Sequence, residues 1–294
     1  MGNFQKLQEG KGDKFVGGFK VADLIGKGAY GQVYLVQRGD NQYAMKEIPI
    51  SHFDVTPDKF EHLLQQQTQL TGKQSKSVDE AIVEEICKEV SILKDLAHPN
   101  IIRYFNSFAD RANVYIVMEL LDGYSLADYI ISQSEKKQRV KEAIVWQVFI
   151  QLTAALRYLH AEKRIIHRDL APGNILISGD QMQVKLADFG LAKRWSTQSA
   201  SMMKSFVGTI LYSCPEIVQS QPYDEKADIW SLGCVIYELM TYKQPFSAGN
   251  PLTIASKIVD GEYEPVNPSH YSPLLISTCK ACMTADPARR PNIL

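Results

Sequence analysis

The hydrophobic pattern of this chain changes period once, and that change limits the folds it can adopt. Through the first 120 residues the apolar positions mostly alternate, which is the period of a strand. Residues 19–25, 32–36 and 42–48 are three such stretches, divided by a Gly-rich turn and by Gly39-Asp40-Asn41. Two more, near 101–108 and 114–118, complete a small antiparallel sheet of five strands. One helix interrupts them. Over 80–96, Ile82, Ile86, Val90 and Leu93 recur at helical spacing, and His98-Pro99-Asn100 stops the run. Beyond Gly123 the helical period takes over. Ile144, Val148, Phe149, Leu152, Leu156 and Leu159 form a stripe within 140–161, and further helices are expected near 227–241, 251–258 and 272–284. The expected class is therefore α+β, a small strand-rich part followed by a larger, mostly helical part, with the boundary near Asp122–Gly123.

Residues 1–18 are polar and Gly-rich and read as a flexible leader. Residues 51–78 carry Gln65-Gln66-Gln67 and no motif. They read as a surface insertion or, alternatively, a regulatory element.

Composition removes several classes of function. Lys plus Arg number 32 and Asp plus Glu 33, a net charge of -1, so no nucleic-acid partner is expected. No apolar run approaches the ~20 residues of a membrane span. Five cysteines in 294 residues make no disulfide framework, and the lone Cys279-x-x-Cys282 pair has no second pair to complete a zinc site. An intracellular, most simply cytoplasmic, setting follows.

Four clusters carry chemistry. Gly26-Lys27-Gly28-Ala29-Tyr30-Gly31 precedes Gln32-Val33-Tyr34-Leu35-Val36, which continues as a strand. A dinucleotide-binding fold would open a helix there. These glycines instead tip a hairpin, where bare backbone N–H groups can approach phosphate oxygens. Lys46 follows Ala44-Met45 within a strand, and a buried Lys needs a carboxylate partner. Glu89 is the first choice, with Glu84 and Glu85 as competitors that would displace Leu93 from its place. His167-Arg168-Asp169-Leu170-Ala171-Pro172-Gly173-Asn174 is the third cluster and Asp188-Phe189-Gly190 the fourth. Asn174 and Asp188 suit magnesium, which takes few protein ligands. Asp169 is left to accept a hydroxyl proton.

Together with Pro215-Glu216, these motifs occur in the order found in eukaryotic protein kinases, and over about 19–294 the chain resembles that family. The resemblance implies a bilobal kinase fold, with an N-lobe of 19–121 and a C-lobe of 122–294 whose last helix is cut short. It implies ATP between the lobes, Mg2+ (or Mn2+) and protein substrates. Ile25, Gly26, Lys27, Gly28, Ala29, Tyr30, Gly31, Val33, Ala44 and Lys46 would contact the nucleotide. Met118 would guard the adenine pocket, and the backbones of Glu119 and Leu121 would bond the adenine edge. Lys46 would pair with the phosphates and Glu89. Asp169 would be the base, and Asn174 and Asp188 the metal ligands. Leu93, Tyr104, His167 and Phe189 would stack as a spine. Asp228 would brace the catalytic loop, and Glu216 would pair with Arg290. The stretch Ser205-Phe206-Val207-Gly208-Thr209 and His98-Pro99-Asn100-Ile101 are similar to the NIMA-related serine/threonine kinases. That likeness implies activation by phosphate on Ser205, with Arg168 as its partner and Thr209 in the substrate-accepting segment. It also brings in the cytoskeleton, centrosome or cilium as locations.

The chain departs from the family at Ala171, where serine/threonine kinases carry Lys. The missing charge implies a rate loss of ~10²–10³ unless something replaces it. It also leaves tyrosine transfer as the alternative specificity, a scaffold that only binds as a second function, and a small-molecule phosphotransferase as a third. Cys214 stands in place of the usual Ala and puts a thiol where oxidation would be felt.

Overall fold

The computed structural model describes residues 14–28, 31–49, 93–110, 113–179, 182–188 and 210–293. They fall into two compact units, and the chain passes from the smaller to the larger after Leu121. The segment His98–Ile101 also belongs to the larger unit.

The smaller unit is a sheet of β1 (Phe15–Val16), β2 (Phe19–Gly28), β3 (Gly31–Arg38), β4 (Asn41–Pro49), β5 (Tyr104–Asp110) and β6 (Asn113–Met118). The strand order is β1-β2-β3-β4-β6-β5, antiparallel throughout. The five expected strands are present. The sixth, β1, corrects the reading of 1–18 as a leader. Gly17 and Gly18 both sit at positive φ, where a side chain would be strained, and they fold Val16 back onto Phe19. Both apolar side chains are then buried.

The sheet has two different faces because residues paired across antiparallel strands share a side. One face carries Phe19, Val21, Val36, Met45, Tyr115 and Val117 as a closed apolar core, with Tyr34, Tyr43 and Phe108 packed against it. The other face carries Val33, Ala44, Lys46 and Met118.

The larger unit has a three-stranded sheet of β7 (Gly123–Ser125), β8 (Ile175–Ser178) and β9 (Gln183–Leu186). These strands lie in the part read as helical; they are too short to show a period. The main helices are α1 (Leu126–Glu135), α2 (Glu142–Arg157), α3 (Pro215–Val218), α4 (Lys226–Thr241), α5 (Pro251–Asp260) and α6 (Pro273–Cys282). Local signals explain their starts. Ser125 and Asp128 form a capping box on α1, and Asn250-Pro251 and Ser272-Pro273 cap α5 and α6. The stripe expected on 140–161 is present, but Val145 and Ala155 are buried with it while Ile144 and Phe149 are only half-buried.

Helix α4 is buried without a break from Ala227 to Tyr237, so it is the axis of the unit rather than a surface helix. At Gly233 an added Cβ would come within 2.7 Å of Met283 and 2.8 Å of Cys282. The glycine therefore lets the end of α6 pack directly on α4. Cys279 and Cys282 are part of that packing, and burial pushes the Cys282 thiol up to about 12. Among the described residues no helix is long and apolar enough to cross a membrane.

Candidate active site

Each unit carries a set of the motif residues. In the smaller unit the register gathers one set on a single face. Gly26 pairs with Val33, Val33 with Lys46, and Lys46 with Ile116. In the next row Leu35 pairs with Ala44, and Ala44 with Met118. Val33, Ala44, Lys46 and Met118 thus share the face opposite the apolar core. Met45, between Ala44 and Lys46, points into that core and is fully buried. Strand alternation is what puts Lys46 on the face opposite Met45.

The glycines of this region differ in kind. A Cβ on Gly31 would lie 2.0 Å from the carbonyl oxygen of Glu47, so the sheet itself demands glycine there. At Gly26 the nearest atom would be Val33 Cβ at 3.5 Å, an ordinary contact. Packing requires glycine at Gly31 and does not require it at Gly26. After Met118 the chain leaves the sheet. The Glu119 N–H donates to the Arg103 carbonyl at 2.8 Å, and the Glu119 side chain accepts from the Arg103 N–H at 3.2 Å. Lys27, Ile25 and Leu121 are placed on the same unit. Ala29, Tyr30, the insertion at 51–78, Glu84, Glu85 and Glu89 lie outside the described residues.

In the larger unit the loop 167–174 is built around Asp228. This carboxylate, fully buried near the start of α4, accepts three hydrogen bonds of 2.8 Å, from His160 Nε2, the His167 N–H and the Arg168 N–H. Burial alone would raise its pKa. The hydrogen bond from His160, the nearby imidazoles and the Arg168 N–H outweigh that and hold it below the ordinary carboxylate value. Pinning two successive N–H groups forces Arg168 to a φ of +69°, a conformation that side chains avoid.

His167 is fully buried, and burial lowers its pKa against the opposing pull of Asp228 and Asp169. The ring is neutral. Its Nε2–H donates to the Ala187 carbonyl and its Nδ1 accepts the Asp169 N–H, both at 3.3 Å. The imidazole therefore ties the loop to the residue before Asp188.

Asn174 closes a 3-10 turn, Pro172–Asn174. Its side-chain N–H groups donate to the Asp169 carbonyl at 2.8 Å and to Asp169 Oδ2 at 3.0 Å. A carboxylate only accepts, so the amide nitrogen must face it and the amide oxygen must point elsewhere. The Ala187 N–H donates to the Asn174 carbonyl at 2.8 Å, setting Asp188 beside it with a φ of +58°. Asp169, Asn174 and Asp188 are thus brought together by the backbone.

The strand leading to Asp188 is held by residues that the sequence reading gave no part in the site. The Asn100 side chain donates to the Val184 carbonyl at 2.8 Å and to Gln151 at 2.9 Å, and Gln151 accepts the Val184 N–H at 2.9 Å. Leu186 donates to the Asn100 carbonyl at 2.8 Å. The sequence marked Asn100 as part of a helix stop and of a stretch similar to the NIMA-related kinases, and neither reading pointed to these hydrogen bonds.

Glu216 and Arg290 form a bidentate pair at 2.8 and 2.9 Å, with Arg290 1% exposed. The other guanidinium N–H groups donate to the carbonyls of Thr284, Ala285 and Lys226, and the plane lies over Trp230. Every donor of this arginine is satisfied, which a buried ion pair requires. Cys214 corrects an expectation. It is buried, and burial pushes its thiol up to about 12, so no thiolate is available there for oxidation at neutral pH. Leu93 and Tyr104 are buried in the smaller unit and His167 in the larger. Phe189, Ser205 and Thr209 lie outside the described residues.

A family model for the protein kinase domain matches residues 19–294. Among curated proteins, serine/threonine-protein kinase Nek10 of Mus musculus is 42% identical over 99% of this chain, which covers 25% of that protein. Serine/threonine-protein kinase D1044.8 of Caenorhabditis elegans is 40% identical over 95% of the chain and 27% of its own length. The chain thus spans about a quarter of the length of these relatives. Among solved structures, Rad53 1-466 in complex with AMP-PNP matches with a TM-score of 0.72 at 26% identity, covering 94% of this chain and 63% of that one. With these matches over the same motifs and fold, the chain belongs to the protein kinase family.

Proposed function

We propose that the chain transfers the γ-phosphate of ATP to serine or threonine hydroxyls of proteins. The observation that carries this reading is the clamp of Asn174 on Asp169, set on a loop anchored to a buried carboxylate. The clamp orients Asp169 and directs the Asn174 amide nitrogen to it, so that the amide oxygen, with the Asp188 carboxylate, would hold a metal ion. An amide oxygen and a carboxylate are the hard donors that magnesium takes, with phosphate and water completing its shell. When bound, the ion offsets the charge of the phosphates.

The roles then divide by residue. Lys46 neutralises the α- and β-phosphates, with Glu89 as its partner, and the bare backbone at Gly26 and Gly28 admits the phosphate oxygens. Val33, Ala44 and Met118 supply an apolar surface for the adenine, whose edge bonds the Glu119 and Leu121 backbone. Asp169 orients the attacking hydroxyl and takes its proton. Phosphate on Ser205, paired with Arg168, switches the loop on. The names of the relatives support serine/threonine transfer, and the AMP-PNP complex of the Rad53 structure supports ATP as donor. Ala171 favours a second reading, in which tyrosine is also phosphorylated, because the lysine typical of serine/threonine transfer is absent.

The test is incubation with labelled ATP, magnesium and a peptide library, beside an Asp169→Asn control. Label on Ser or Thr above the control is expected. Nucleotide binding without transfer would leave a scaffold, and label confined to a metabolite would make the chain a small-molecule phosphotransferase.

A further inference from the structure

The larger unit holds a cavity of about 510 Å³ that none of the roles above uses. Its floor is apolar and deep: Tyr237 from α4, Cys279 from α6, and Met283 are all buried. Tyr263 and Ile276 form half-buried walls. Its volume falls within the ~300–1,000 Å³ of small-molecule sites, and so does its character, a mostly apolar lining with few polar groups.

The rim is charged, and unequally. Asp260, Lys280 and Arg289 all border the cavity and are exposed. Asp260 accepts a hydrogen bond from the Ser256 hydroxyl at 3.0 Å. Among the described residues neither Lys280 nor Arg289 makes an ion pair. Two unpaired cations above an aromatic floor favour a ligand with an apolar body and one negative group.

The cavity also shares backbone with the Arg290–Glu216 pair. Thr284 and Ala285 line it, and their carbonyls accept from Arg290 Nε at 3.0 Å and Nη2 at 3.2 Å. A molecule seated there touches the turn that holds Arg290 on Glu216, and Glu216 lies in the first turn of α3.

We infer that this cavity is a binding site for a small apolar anion, an aromatic or aliphatic carboxylate or sulfonate, whose occupancy stiffens the 284–290 turn. The probe is 8-anilinonaphthalene-1-sulfonate, titrated by fluorescence into the full chain with excess ADP present to occupy any nucleotide site. Saturable one-site binding is expected. The doubly reversed variant Lys280→Glu/Arg289→Glu should weaken it about tenfold or more, as should replacing the probe by uncharged N-phenyl-1-naphthylamine, since each removes a charge-assisted contact. Ile276→Trp, which fills the cavity from its wall, should abolish it. Slower hydrogen exchange of the 284–290 amides should accompany binding. Circular dichroism of each variant establishes that it is folded. Absence of saturable binding, or binding that survives both the charge reversal and Ile276→Trp, overturns the inference. Because the readout is binding, its failure leaves the phosphotransfer reading untouched.

Discussion

Replacing Asp228 by Asn tests whether the catalytic loop is held by charge or by shape. The substitution keeps size and planarity but swaps one acceptor for an NH2 group. In the native protein Oδ2 accepts from His160 and the His167 N–H, while Oδ1 accepts from the Arg168 N–H. The amide can keep the two bonds at Oδ2 only by aiming its NH2 at the Arg168 N–H, donor against donor. Losing one hydrogen bond to a buried charge costs about 1.5–3 kcal/mol. The remaining two become neutral and weaken by roughly half. The sum is about 3–6 kcal/mol, overlapping the range seen when a buried charged pair loses a partner. Arg168, no longer pinned, can relax from its φ of +69° and carry Asp169 with it. Urea unfolding followed by tryptophan fluorescence reads the stability, and single-turnover phosphorylation reads the rate. Both should fall, with the rate falling further than added substrate can restore. A variant within about 1 kcal/mol of the parent with unchanged turnover would show that the loop is held by packing alone and that the argument from Asp228 is mistaken.

The glycines offer a paired comparison. Gly31→Ala should destabilise the smaller unit, because its Cβ meets the Glu47 carbonyl, whereas Gly26→Ala should leave the melting temperature nearly unchanged and weaken ATP binding; equal effects on both properties would contradict the distinction. Arg290→Lys keeps the charge but loses the bidentate fork and the carbonyl contacts, and a loss of about 3–5 kcal/mol is expected in denaturant titration. Because the Asp228 carboxyl lies below its unfolded value of about 3.9, its contribution is complete above that pH and is lost as pH falls through the lower folded value. An acid titration of stability should therefore drop below about pH 4, and the drop should shrink in Asp228→Asn. Ala171→Lys restores the missing charge at the edge of the 3-10 turn and should raise the rate of peptide phosphorylation about tenfold or more; no change would mean that other groups already neutralise the phosphoryl group.

How legible this fold was depended on the length of each element. The long strands around Lys46 and the long helices showed their periods. Strands of two to four residues, β1 and β7 to β9, cannot show one, and they were missed or absorbed into helical sequence. In the candidate site, motifs are easiest to read where their residues are contiguous: 167–174 and Asp188 lie beside each other because the Ala187 N–H donates to the Asn174 carbonyl. What could not be read was long-range support by ordinary residues. His160 and Asn100 gain their roles from partners 68 and 84 positions away, and nothing in their neighbours signals it.

That support bears on whether the chain transfers phosphate or only binds partners. Arg168 and Asp188 both stand at positive φ without being glycine. Each such residue costs about 1–3 kcal/mol and persists only when its surroundings over-determine it. Here they do: Asp228 fixes Arg168 from one side, and His167 and Asn174 hold Ala187, immediately before Asp188, from the other. A binding scaffold has no need to aim these two residues, and substitutions that relieved the strain would stabilise it. A buried carboxylate that bonds His160, His167 and Arg168 together, and a backbone bond that fixes Ala187, fit a site in which Asp169 and Asp188 are presented in one geometry. On the proposed reading Ala171 lowers the rate and leaves this loop geometry in place.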